Sequence, residues 1–181
     1  GDGEDIIREY EPNNTSGHND RIVFGEGIRA EDVELIRNGN NLVIQYSEKD
    51  RVTVQDAYYY GNGYGFVENI EFSDGTVWDV EELAARTIVK GTAGDDTLKG
   101  YAKVVGYSEN ETFHGGAGND TINAGSGEDV LYGGTGNDIL SGGNGDDTYV
   151  FNLGDGEDII REYEPNNTSG HNDRIVFGEG I

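Results

Sequence analysis

Four aspartates spaced nine residues apart, Asp120, Asp129, Asp138 and Asp147, each follow a glycine-rich turn between Gly115 and Val150. The stretch reads GGAGNDTIN, AGSGEDVLY, GGTGNDILS and GGNGDDTYV, four units in one register. Each fits G/A-G-x-G-x-D-x-U-x, where U is a large apolar residue: Ile122, Leu131, Leu140 or Tyr149. Aspartate offers hard carboxylate oxygens, and a glycine turn lets backbone carbonyls come close, so together they suit a hard cation such as calcium. Magnesium, which dehydrates reluctantly and demands tighter geometry, fits such a set less well. There is no cysteine, and the three histidines are His18, His114 and His171, so zinc-type and soft-metal sites are not expected. HExxH, GxSxG, a phosphate loop and a cysteine nucleophile are all missing, and the stretch is not expected to be an enzyme.

These turns must be held by something regular. A fixed nine-residue period means that each unit buries its apolar side chain only against its neighbours, which is the logic of a solenoid. A flexible glycine-rich linker would have no use for a periodic Ile or Leu. The last three residues of each unit form a short strand whose central side chain points inward. Upstream, GTAGDDTLK (Gly91 to Lys99) is a fifth copy, with Asp96 as ligand and Leu98 inside. Fifteen residues rather than nine then precede Gly115, and the last nine, Gly106 to His114, place Glu109 and Glu111 where glycine and aspartate belong. A six-residue insertion of this kind still leaves the loops at Gly91 and Gly115 stacked. Downstream, FNLGDGEDII shifts the frame by two residues but keeps Gly154, Gly156 and Asp158, and reads as a closing turn.

The units resemble the calcium-binding nonapeptides of the repeats-in-toxin (RTX, haemolysin-type) family. That resemblance implies an all-β fold, a parallel β-roll with two units per turn and a calcium ion between loops two units apart. In the family, position six of both loops supplies carboxylates, with carbonyls from positions two and four of one loop and one and three of the other. Carried over, one site takes Gly116, Gly118 and Asp120 with Gly133, Thr135 and Asp138. A second takes Gly125, Gly127 and Asp129 with Gly142, Asn144 and Asp147. A third pairs Gly134, Gly136 and Asp138 with the Asp155/Asp158 segment. A fourth joins Thr92, Gly94 and Asp96 to Gly115, Ala117 and Asp120. The Glu109/Glu111 loop departs from the pattern, and faces Ala124, Ser126 and Asp129. Gly143 and Gly145 of the last unit complete a set implying about five calcium ions.

Residues 1–28, GDGEDIIREYEPNNTSGHNDRIVFGEGI, recur without change as residues 154–181, a period of 154 − 1 = 153 residues. The repetition reads as a tandem array of large units or as an engineered duplication. Asp5 and Asp20, with their copies Asp158 and Asp173, each stand two residues before an apolar side chain and are candidate ligands at the roll's end. For Asp20 and Asp173 a solvated acidic turn is an equal alternative.

Residues 29–90 are different in kind. Val33 to Ile36 and Leu42 to Tyr46 flank Arg37-Asn38-Gly39-Asn40, a strong hairpin signal. Arg51 to Gln55 and Val67 to Phe72 read as strands, Ser73 to Thr76 as a turn, and Asp79-Val80-Glu81-Glu82 as the cap of a short helix ending near Arg86. The phrases RIVFGEGI and ENIEFSDGTVWDVEEL resemble the haemolysin-type calcium-binding-related region found between roll blocks. The aromatics gather here, at Tyr58, Tyr59, Tyr60, Tyr64, Phe66, Phe72 and Trp78. They serve either to pack stacked units or to bind a glycan or protein partner.

The expected organisation is therefore the end of a preceding repeat unit (1–28), a β-rich cap or spacer with one short helix (29–90), a calcium-binding roll (91–160) and a roll-closing segment (161–181). With 36 acidic against 12 basic residues the net charge is −24, which argues against a nucleic-acid partner and against collapse without cations. The resemblance implies a secreted, extracellular or bacterial cell-surface adhesin or toxin, exported unfolded through type I secretion machinery, with neighbouring repeat units as partners. The alternatives are a glycan- or protein-binding module and the C-terminal roll of a secreted enzyme. No membrane insertion by this stretch is expected, since no long apolar run is present.

Overall fold

A computed structural model describes residues 3–8, 20–58, 67–100, 110–162 and 172–178. Tyr59, Tyr60, Tyr64, Phe66, Gly106, Glu109, His18 and His171 lie outside the described residues. The chain forms two compact units, one reaching Thr87 and the other beginning at Ile88.

The first unit holds β1 (Glu4–Arg8), β2 (Arg21–Val23), β3 (Glu34–Asn38), β4 (Asn41–Gln45), β5 (Arg51–Gln55), β6 (Asn69–Glu71), β7 (Val77–Trp78) and helix α1 (Val80–Arg86). Strands β3 and β4 pair antiparallel with Asn38 opposite Asn41, so Gly39 and Asn40 form a two-residue loop. Gly39 takes φ +58°, the conformation such a hairpin turn requires. Strand β5 pairs antiparallel with β4 and parallel with β1. A second small sheet runs β2–β6–β7, parallel and then antiparallel. Period-two alternation directs Leu35, Leu42, Ile44 and Val54 into one core with Ile70, Phe72, Trp78 and Leu83. Helix α1 starts where Asp79 accepts from the N–H groups of Glu81 and Glu82, at 3.1 and 3.0 Å. It stays short because Thr87 opens an extended strand. Of the aromatics described here, Phe72 and Trp78 are buried with ring centroids 4.8 Å apart, and Tyr58, partly buried, packs on the same core.

The second unit is a parallel β-roll. Its strands are β8 (Thr87–Lys90), β9 (Thr97–Lys99), β10 (Thr112–Ala117), β11 (Thr121–Ser126), β12 (Val130–Thr135), β13 (Ile139–Asn144), β14 (Thr148–Phe151), β15 (Ile159–Ile160) and β16 (Arg174–Phe177). They alternate between two parallel sheets, β8–β10–β12–β14–β16 and β9–β11–β13–β15. Each strand pairs with the one two units on. Phe113 thus lies beside Val89 and Leu131, and Leu131 beside Tyr149. On the other face Leu98, Ile122, Leu140 and Ile160 form the matching row. These two rows, with Ala124 and Phe151 beside them, make up the roll's core among the described residues, and Phe113, Ile122, Leu131 and Leu140 are wholly excluded from solvent. Burial of each such side chain contributes roughly 1.5–3 kcal/mol. The insertion leaves the stack intact, since Thr112 to His114 still pair with Ile88 to Lys90.

Candidate metal centre

The turns stack as the strands do, and their aspartates form two ladders. In the first, the N–H of Asp96 donates to Oδ1 of Asp120, that of Asp120 to Asp138 and that of Asp138 to Asp158, at 2.8, 2.8 and 2.9 Å. In the second, Glu111 donates to Asp129, Asp129 to Asp147 and Asp147 to Asp173, at 2.7, 2.9 and 2.9 Å. Each step is completed by a backbone bond: the residue after the upper acid donates to the carbonyl of the lower one, as Ile139 does to Asp120 and Thr148 to Asp129. Asp120, Asp129, Asp138, Asp147, Asp158 and Asp173 therefore each use one oxygen to join two turns, whereas Asp96, at the lower end, accepts from the N–H and hydroxyl of Thr92 in its own turn, at 2.6 and 2.8 Å.

The second oxygen is the informative one. Asp120 and Asp138 are 1% exposed, and Oδ2 of each is buried with no hydrogen-bond donor. Leaving a buried carboxylate oxygen so costs several kcal/mol unless a cation is paired with it. Oδ2 of Asp129 and of Asp147 is equally shut off from solvent. Burial raises the carboxyls of Asp120 and Asp138 above their ordinary range. The donated N–H bonds pull the other way, and repulsion from Asp95 and Asp96, or from Asp120, Asp155 and Asp158, adds to the rise.

Glycine makes room for carbonyls beside those oxygens. A Cβ on Gly134 would lie 2.0 Å from the Gly116 carbonyl oxygen, and one on Gly136 1.8 Å from that of Gly118. Gly143 and Gly145 stand likewise over the carbonyls of Gly125 and Gly127. At position one, a Cβ on Gly115 would meet both the Gly133 carbonyl at 2.3 Å and Asp120 Oδ2 at 2.4 Å. Gly133 likewise stands beside Asp138 Oδ2 and Gly142 beside Asp147 Oδ2, so position one of each turn lies next to that turn's own aspartate. The carbonyls of Thr135 and Asn144 accept from Gly118 and Gly127 N–H at 2.9 Å, leaving each a second lone pair. At the lower end Gly91 stands under the Gly115 carbonyl and beside Asp96, and the Thr92 carbonyl accepts from Ala117. At the upper end Gly136 donates to the Asp155 carbonyl at 2.6 Å, and Gly156 stands over the Gly136 carbonyl.

Among the described residues no three acidic or imidazole side chains converge on one point. The donor set is two carboxylates with several carbonyls. Such an oxygen-only set, adaptable and low in charge, fits calcium.

Three features escaped the sequence reading. Position five carries its own ladder: Asn119 N–H donates to Asp95, Asn137 to Asn119 and Glu157 to Asn137, at 2.7, 2.9 and 2.9 Å. The recurrence of Asn or Asp before the aspartate was its only signal. In the interrupted loop, Gly100 stands beneath the Ala124 carbonyl and beside Glu111 Oε2, as Gly115 stands to Gly133 and Asp120. Position one there belongs to Gly100, and the extra residues fall between it and Asn110. Third, Asp173, a candidate at the roll's end with no partner assigned, joins the second ladder at Asp147, 26 residues away in the chain. Asp5 and Asp20 lie in the first unit, Asp5 exposed opposite Val52 and Asp20 donating its N–H to Glu68 at 2.7 Å.

Comparison with known proteins agrees with this geometry. The RTX calcium-binding nonapeptide repeat (4 copies) matches residues 86–102, 105–140 and 125–160. The haemolysin-type calcium binding protein related domain matches residues 41–82. The iron-regulated protein FrpA of Neisseria meningitidis serogroup C is 33% identical over 121 residues, which is 65% of this chain and 10% of that protein's length. No helix among the described residues is long and apolar enough to cross a membrane. Nonapeptide frame, stacked carboxylates and family matches converge: the chain carries RTX haemolysin-type calcium-binding nonapeptide repeats, preceded by a haemolysin-type calcium binding protein related domain.

Proposed function

We propose that this chain is a calcium-folded structural unit of a large secreted or cell-surface protein, an adhesin or toxin, in which it acts as spacer and folding device. The observation that carries the reading is the pair of buried carboxylate oxygens on Asp120 and Asp138, which have carbonyls around them and no donor. The principal ions sit between Asp120 and Asp138 and between Asp129 and Asp147. Further ions use Asp96 with Asp120, Asp138 with Asp155 and Asp158, and Glu111 with Asp129, giving about five in all. Calcium supplies the positive charge that these carboxylates lack; the protein supplies preformed turns and a dry apolar row beneath them.

Extracellular calcium modules work at roughly 0.1–1 mM. A chain of net charge −24 stays open below that range and folds above it, which suits passage through a type I secretion channel followed by folding outside. The chain spans about a tenth of the FrpA relative. A target or an enzymatic partner domain therefore belongs to the surrounding protein.

Isothermal titration calorimetry with calcium, and separately with magnesium, tests the assignment. About five calcium ions per chain with little heat from magnesium are expected. A single ion, or equal binding of both metals, contradicts it.

A further inference from the structure

The duplicated segment occurs in two surroundings, and each supplies what the other lacks. In the second unit, β16 pairs with β14 through the N–H groups of Arg174 and Gly178, which donate to the carbonyls of Asp147 and Phe151 at 2.9 and 2.8 Å. In the first unit, the same sequence as β2 pairs with β6 instead. There the active groups are the Asp20 carbonyl, which accepts from Glu68 and Asn69, and the Phe24 N–H, which donates to Glu71 at 2.8 Å. Asp20 and Phe24 are the copies of Asp173 and Phe177, since 173 − 153 = 20 and 177 − 153 = 24. Successive residues of a parallel strand face opposite edges. The two pairings therefore use opposite edges of one strand, and no donor or acceptor is claimed twice.

The other strand of the segment repeats the pattern. Ile159 and Arg161 donate to Asp138 and Leu140 on the roll side, while the Gly3 carbonyl, copy of that of Gly156, accepts from Arg51. The two-bond step of the aspartate ladders recurs on this second side as well. Asp20 N–H donates to Glu68 Oε2 while Asn69 donates back, and Gly3 N–H donates to Asp50 Oδ1 while Arg51 donates back. Burial is complementary too. Phe177 is 61% exposed and Ile175 53%, whereas their copies Phe24, 6% exposed, and Ile22 pack into the first unit's core. Phe24 lies 5.5 Å from Phe72 and 5.3 Å from Tyr46, partners that Phe177 lacks among the described residues.

We infer that the strands β15 and β16 form a seam, with the roll on one edge and a following copy of the 29–87 block on the other. Where the unit recurs, β15 and β16 take that block's equivalents of β5 and β6 as their next neighbours. The ladder Glu111–Asp129–Asp147–Asp173 then runs on to the equivalent of Glu68. Calcium-ordered roll and metal-poor block become one hydrogen-bonded stack, with no linker between units. This rests on the repeat-unit reading above and gives it a register.

The test is amide exchange by NMR in saturating calcium, on the 181-residue chain and on a chain in which residues 29–181 follow residue 181. In the shorter chain Arg174 and Gly178 amides should be protected, and Asp173 and Phe177 amides should exchange at least 100-fold faster. Phe24 serves as the slow internal reference. In the longer chain Asp173 and Phe177 should become as slow as Phe24. Continued fast exchange there, with Arg174 and Gly178 still protected by calcium, overturns the seam alone. Protection of Arg174 and Gly178 that persists in chelator overturns the calcium-folded unit itself. Phe177→Ser should leave the shorter chain's calcium midpoint within about 1.5-fold, yet restore fast exchange at Asp173 in the longer one.

Discussion

At the scale of the residue, one carboxylate does two jobs with its two oxygens. Asp138 Oδ1 accepts the Asp120 N–H, and Oδ2 is the buried oxygen without a donor that the proposed calcium would meet. Asp138→Asn keeps an acceptor for that N–H and deletes the charge; Asp138→Ala deletes both. A hydrogen bond to a charged group is worth about 1.5–3 kcal/mol, so Ala should raise the calcium midpoint clearly further than Asn, as circular dichroism can measure. Equal midpoints would mean that the ladder bond contributes nothing. The pH response follows from the same groups. Asp120 and Asp138 are held above the ordinary carboxylate value of about 3.9, chiefly by burial, so the metal-free fold binds protons more tightly than the unfolded chain. Their contribution to metal-free stability is fully present below the ordinary value and is lost as pH rises through the raised one. In chelator, strand signal should therefore be greater at pH 4 than at pH 7; in calcium, whose ligands must be deprotonated, the order should reverse.

At the scale of the element, the turn geometry is the exacting part. Gly136 has φ +141°, and a Cβ there would lie 1.8 Å from the Gly118 carbonyl oxygen. Gly94 holds the same position in the fifth copy, but its Cβ would meet only Thr92 Oγ1, at 3.9 Å. Gly136→Ala should accordingly cost more than about 1 kcal/mol, and Gly94→Ala stay within about 0.5 kcal/mol, in calcium-saturated thermal melts. In the core row, Leu131→Ala should cost about 2–5 kcal/mol in the same assay. The nine-residue period made the roll, its inward residues and its aspartate positions legible, because a solenoid repeats its chemistry wherever it repeats its geometry. The hairpin at Asn38-Gly39 and the Asp79 cap were legible because each is set by its own few residues. What stayed hidden was non-local. Gly100 takes its place only by standing under Ala124, and Asp173 joins Asp147 across a gap with no period to mark it. The position-five ladder was visible as letters but not as function, since Asn in a turn has many uses.

At the scale of the whole molecule, charge dominates. A net charge of −24 on 181 residues opposes compaction, and the narrow apolar rows of the roll offset only part of that repulsion. About five calcium ions would add roughly +10, and each site binding the folded state alone contributes about 2.7 kcal/mol at a hundredfold excess over Kd. The first unit has its own core around Ile44, Ile70 and Trp78, with no calcium turn of the nonapeptide type among its described residues. Removal of calcium should thus release the roll before that core, and Trp78 fluorescence should change at lower calcium than the strand signal does. Coincident transitions would mean that the two units fold as one.

The most direct measurement is far-UV circular dichroism through a calcium titration that starts in chelator, with magnesium and monovalent salt as controls. The account predicts a cooperative gain of strand signal near millimolar calcium that neither control reproduces, shifted to higher calcium in the Asp120→Ala, Asp138→Ala double variant. A roll fully formed in chelator, or formed equally well by magnesium, would contradict it.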